Sequence, residues 1–210
     1  MLKIIVGNKR YSSWSMRPWL VLKSLGVEFE EQVIGLDLPD TDANIRKFSP
    51  AGRVPVLLTG ALAIWDSLAI CEYLAEVFPD RGLWPHDTAA RARARSIVAE
   101  MHSGFQALRN ECSMKVLEQF PPKQLSADTQ KDVARINQLW GDCLIDSKGP
   151  FLFGKTFGIA DAFYAPVVTR FRTYGIAGNE AYREAVWSSA PLQAWLDDAR
   201  AETLRAARYE

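Results

Sequence analysis

Apolar and polar positions follow two regimes along the chain. Up to residue 79, short apolar runs alternate with turn residues. Leu2–Val6 (LKIIV) reads as a buried strand. Residues Met16 to Leu25 carry helical spacing through Leu20, Val21, Leu22 and Leu25, with Gly26 as the stop. Val27–Ile34 reads as a second strand, and DTDANIRKFSP as a short helix ending near Pro50. VPVLLTGALAIWDS predicts a hairpin, Val56–Leu58 and Leu62–Trp65 about a Thr59-Gly60 turn. SLAICEYLAEVFP predicts a helix with Leu68, Cys71, Leu74 and Ala75 on one face. The order is βαβ, short helix, ββ, α. The crossover implies parallel pairing of the first two strands, and the hairpin is antiparallel.

PDRGLWPHD breaks the periodicity and reads as a linker. Beyond it the pattern is helical. One long helix is expected over Thr88–Cys112, followed by Lys131–Ile145, Ile159–Tyr174, Ala181–Trp187 and Leu192–Ala207. The expected class is α+β: a mixed domain at 1–79, a linker at 80–87 and an all-α domain at 88–210.

Charge narrows the partners. Twenty-five Lys and Arg balance 25 Asp and Glu, so nothing drives the chain in bulk toward nucleic acid or an anionic membrane. No apolar run is long enough to span a bilayer, and the N-terminus lacks a signal-peptide pattern, so a cytoplasmic protein is expected. Cys71, Cys112 and Cys143 form no CxxC or zinc spacing and read as free buried thiols; no metal is expected. His86 and His102 are the only histidines, too few for a His-rich metal site. Arg91, Arg93 and Arg95, two apart, point to different sides of a helix and read as solvated.

The βαβ–ββα order is the thioredoxin-like plan. Redox proteins of that plan place Cys-x-x-Cys at the start of the first helix, where free N–H groups and the dipole favour a thiolate. Here the place holds Ser12-Ser13-Trp14-Ser15. Disulfide exchange by the chain's own thiols is excluded there, while the electrostatic setting still suits a ligand's thiolate. Ser15 is expected to cap the helix.

Four patches then carry a resemblance that spans both halves: SSWSMRPWL, SPAGRVPVL, WDSLAICEYLAE and FLFGKTFGIADAFYAP. In that order they are similar to the cytosolic glutathione transferases, serine-type, theta- or zeta-like. The resemblance implies glutathione as co-substrate, a hydrophobic electrophile, a homodimer and a detoxification role. It implies that Ser12 meets the glutathione sulfur and that Val54, before a cis Pro55, pairs its backbone with the cysteinyl unit. It further implies that Asp66 and Ser67 hold the glutamyl end, with Arg53 near a carboxylate and Ser13 in the glutathione-binding set; read as a residue of the turn, Ser13 either orients Ser12 or satisfies the turn backbone. Tyr11, Trp14, Met101 and Phe105 are the candidates for the electrophile pocket, with Leu108 on the same helical stripe. Asp161 reads as a structural cap. Two positions depart from the family pattern: Gly158 stands where Ser or Thr is usual, and Trp14 where zeta isomerases have a cysteine. The rival expectations are a maleylacetoacetate-isomerase-like isomerase or dehalogenase, and a non-catalytic glutathione-binding protein.

Overall fold

The computed structural model describes residues 1–206. Four strands form one sheet in the order β2-β1-β3-β4. They are β1 (Leu2–Gly7), β2 (Phe29–Ile34), β3 (Val56–Thr59) and β4 (Leu62–Trp65). β1 runs parallel to β2 and antiparallel to β3, which pairs antiparallel with β4. Gly60 turns the hairpin at φ 57°, a left-handed value that glycine adopts without a Cβ penalty. The second strand begins two residues later than the pattern implied. Three helices complete the domain: α1 (Ser13–Leu25), α2 (Thr41–Arg46) and α3 (Ser67–Val77).

Alternation along the strands builds two cores. Ile4, Val6 and Leu57 join the main cluster with Trp19, Leu20 and Ile70, under α1 and α3. Ile5 and Val56 face the other way, toward Ile34 and Ile45.

The connector at 79–87 is docked rather than free. Leu83 and Trp84 are buried, and the Leu83 carbonyl accepts from the Ile159 N–H at 3.1 Å. Six helices follow among the described residues: α4 (Thr88–Ser103), α5 (Gln106–Glu111), α6 (Ala127–Ser147), α7 (Ile159–Thr173), α8 (Glu180–Trp187) and α9 (Ala190–Ala201). The single helix expected over Thr88–Cys112 is therefore two. Gly104 leaves helical geometry at φ −105°, ψ −165°, and Phe105 turns at φ 57°. A Cβ on Gly104 would meet the Glu100 carbonyl at 2.8 Å, so only glycine fits the break. Arg109 folds back from α5, and its guanidinium bonds the carbonyls of Gly104 and Met101 that the break leaves open. The last helix starts and stops earlier than expected, at Ala190 and Ala201; its expected end at Ala207 lies outside the described residues.

α7 is the buried centre of the second domain, and α1, α4 and α8 pack on it. Its start has no side-chain cap, since Gly158 has no side chain to offer. Asp161 does the work instead, accepting from Gly158 N–H at 2.9 Å and Leu152 N–H at 3.0 Å. Burial pushes its carboxyl up to about 6 even so, the two backbone donors opposing. The structural reading of Asp161 stands.

Candidate functional site

Strand register brings three chain segments to one end of the sheet. Ile5 lies opposite Val56, and Val56 opposite Trp65. The exit of β1 toward the serines, the entry of β3 after Val54-Pro55 and the exit of β4 toward Asp66-Ser67 therefore share an edge. The Val54–Pro55 bond is cis.

The serine loop has an internal order that the sequence did not reveal. Ser12, not Ser15, is the N-cap of α1: its Oγ accepts from the Ser15 N–H at 3.4 Å. Ser15 is fully buried, and its Oγ accepts both from the Gly7 N–H at 3.0 Å and from the Ser12 hydroxyl at 2.8 Å. The expected cap role of Ser15 is thus corrected: its hydroxyl is taken by the strand end, which leaves the cap to Ser12. Ser13, first residue of α1, has no side-chain hydrogen bond among the described residues. Tyr11 beside them is buried.

Asp66 adopts φ 74°, a left-handed value that few residues other than glycine take up. It caps α3, its Oδ1 accepting from Leu68 N–H at 2.8 Å and Ala69 N–H at 3.3 Å. Its Oδ2 reaches His102 Nε2 at 3.2 Å, a bridge from the first domain to α4. Burial holds the His102 imidazole below its ordinary range, and Arg17 and Arg109 push the same way while Asp66 opposes. Ser67 is buried at the first position of α3, outside the pair of N–H groups that Asp66 satisfies.

Beneath Ser67 lies a residue that sequence reasoning missed. Arg17 on α1 is 0% exposed. Its Nη1 donates to Ser67 Oγ at 3.4 Å, and its Nε and Nη2 have no hydrogen-bond partner among the described residues. Its guanidinium lies 4.1 Å from the Trp14 ring and 4.8 Å from the Phe163 ring. Arg109 approaches Trp14 as well, at 5.0 Å, and His102 meets it edge-on at 5.1 Å. Trp14, 38% exposed, is the outer wall of this cluster. The signal in the sequence was a lone charge inside the apolar run Met16–Leu22, just before Pro18.

The other predicted residues fall into two groups. Arg53 is exposed on the loop before β3, and Val54 and Pro55 sit at the shared edge. Met101 and Leu108 have no exposed surface and pack in the core, and Phe105 is nearly as buried. A separate cavity of about 450 Å³ opens between Val116–Gln119, Arg172 and Trp187, with none of the predicted residues in its lining. No helix among the described residues is long and apolar enough to cross a membrane, and no group of three or more His, Cys, Asp or Glu is placed to hold a metal.

Two domain models match in series. Residues 11–77 match the glutathione S-transferase N-terminal domain, and residues 88–198 match the C-terminal domain. The chain belongs to the glutathione S-transferase family. Among its relatives, a probable maleylacetoacetate isomerase of Caenorhabditis elegans is 37% identical over 53% of this chain and 50% of its own length. The match to that relative therefore spans half of it. Glutathione S-transferase 1 of Dianthus caryophyllus is 31% identical over 74% of this chain and 71% of its own. Among solved structures, a glutathione transferase homologue from Burkholderia with bound glutathione superposes with a TM-score of 0.73. It is 25% identical and covers 96% of this chain and 99% of its own.

Proposed function

We propose that the chain is a glutathione transferase that activates the glutathione thiol at the start of α1. The observation that carries the reading is the convergence at one sheet edge of the α1 N-terminus with its serines, the Val54-Pro55 entry to β3 and Ser67 at the α3 N-terminus. Unpaired N–H groups and the positive end of a helix favour an anion at each terminus. A sulfur near Ser12 and a carboxylate near Ser67 suit this layout. The Burkholderia homologue with bound glutathione supports glutathione as the ligand.

Ser12 then donates to the sulfur, and its proton turns from Ser15 Oγ to the thiolate; Ser15 keeps its bond from Gly7. The thiolate attacks an electrophile held against Trp14 and the second domain. One charge-assisted bond of about 1.5–3 kcal/mol lowers the thiol pKa by about one to two units. Ser12→Ala should cut turnover at neutral pH about ten- to a hundredfold with little loss of glutathione binding. Ser13 is the second candidate donor, because its hydroxyl is uncommitted. Thiolate absorbance against pH decides: the assignment fails if Ser13→Ala or Tyr11→Phe moves the titration of bound glutathione and Ser12→Ala does not.

A second reading, glutathione-dependent isomerisation, is favoured by relatives named as probable maleylacetoacetate isomerases. Product analysis separates the two, since an isomerase regenerates glutathione and a transferase consumes it. We also propose the homodimer, the cytoplasmic setting and the detoxification role that the family resemblance implies. Half-exposed Leu62 and Trp65 on β4 supply apolar surface for a dimer, which light scattering tests.

A further inference from the structure

Arg17 is hard to explain as a structural residue. A charged group buried without a carboxylate partner is among the most costly arrangements in a core. No acidic side chain lies within ion-pair distance of Arg17 among the described residues, and two of its donor nitrogens have no acceptor. Burial holds its guanidinium well below the ordinary arginine range, with Arg109 and Arg170 reinforcing this and the nearby Asp66 opposing it. Among the described residues, the one hydrogen-bond partner of Arg17 is Ser67 Oγ.

That contact has a directional consequence. A guanidinium only donates, whereas a hydroxyl has one proton and two acceptor sites. With an Oγ lone pair committed to Arg17, the Ser67 proton points away from it. A positive charge also stands directly behind that hydroxyl. The same Ser67 begins α3, so its O–H, the helix end and the guanidinium act on one spot.

We propose that Arg17 is a positioning residue of the glutathione site. It turns the Ser67 hydroxyl toward the α-carboxylate of the γ-glutamyl group and supplies the buried positive charge that this carboxylate meets. The inference rests on the reading of Ser67 as the glutamyl-end binder. It makes the missing counter-ion of Arg17 the ligand itself. Binding then neutralises a charge that the free protein carries at a cost, and discrimination in favour of a ligand with that carboxylate follows.

The test measures Kd by calorimetry for glutathione and for 4-aminobutyryl-cysteinyl-glycine, which differs only in lacking that carboxylate. Wild type should prefer glutathione at least tenfold. Arg17→Met should lose most of the preference by weakening glutathione binding while binding the analogue within about twofold of wild type, as expected when the two deletions remove one interaction. Arg17→Lys, which keeps the charge but not the fork, should retain an intermediate preference. Ligand-free Arg17→Met should melt at or above the wild-type temperature, which a merely structural arginine would not allow. An Arg17→Met variant with undiminished preference, while Ser67→Ala loses it, overturns the role of Arg17 and leaves the Ser67 reading intact. Wild type with no preference, together with Ser67→Ala binding as wild type, overturns the Ser67 reading itself. In the wild-type protein, the Arg17 Nε–H NMR signal should shift with glutathione and not with the analogue; equal response to both also overturns the proposal.

Discussion

Lys9 and Arg17 are two buried cations on either side of the serine loop, 2% and 0% exposed. Both lie over aromatic rings: Lys9 is 4.2 Å from Trp19 and 5.2 Å from Trp195, Arg17 4.1 Å from Trp14 and 4.8 Å from Phe163. Their anions differ. Lys9 Nζ meets Glu31 at 2.7 Å and Asp198 at 2.5 Å, and its backbone N–H donates to Glu202 at 2.9 Å. Arg17 has one hydroxyl and no carboxylate within reach among the described residues. A cation held by ring faces still needs an anion to offset its lost hydration. Where the chain provides that anion, the cation braces the fold. Where it does not, as at Arg17, we assign that anion to a ligand carboxylate.

Four measurements test this contrast. Asp161 is a buried acid rather than a buried cation, and it accepts from the backbone N–H groups of Gly158 and Leu152. Its carboxyl rises from 3.8 to about 6 on burial, so the folded state binds the extra proton in that window. Stability should therefore fall as pH rises from about 3 to about 7, by about 3 kcal/mol from this group. Denaturant titrations of wild type and Asp161→Asn at both pH values check it; a wild-type slope no steeper than the variant's would refute the burial argument. Next in size, Lys9→Met should lower stability by about 2–3 kcal/mol. That is less than for a fully buried pair, because Glu31 and Asp198 are partly exposed. Arg17→Met should have the opposite sign, a gain of up to about 1 kcal/mol in the free protein. If both variants are destabilised alike, the two sites are equivalent and the contrast fails. Asp198→Asn removes the half-exposed partner of Lys9 and should cost 1 kcal/mol or less. A loss as large as that of Lys9→Met would show that α9, and not β2, holds the lysine.

Much of this frame could be read from the chain. The hairpin at Thr59-Gly60 and the α3 start at Asp66-Ser67 announce themselves through local chemistry: a glycine that turns and an Asp that caps. The helix break at Gly104 did not, because Ile97, Met101, Phe105 and Leu108 keep helical spacing across it. Apolar periodicity reports which side faces the core, not whether the backbone is continuous. The cap was misplaced within the serine cluster for a related reason. Three hydroxyls of like chemistry differ only in which one the end of β1 reaches, a tertiary fact. Arg17 escaped because a charge in an apolar run is ordinarily solvated by snorkelling. Only the packing of α1 on α7 shows that it is sealed.

The Lys9 clamp also says something about synthesis. Its partners Asp198 and Glu202 lie 189 and 193 residues further along the chain. As the chain leaves the ribosome, the strands and helices that carry the serines are complete long before α9 exists. Until then Lys9 has Glu31 but lacks Asp198, Glu202 and the Trp195 ring. Contacts of such separation form late, since the loop they close is so long. The loop between β1 and α1 is thus braced by a helix made long after it, and its full set of contacts exists only once α9 has been synthesised.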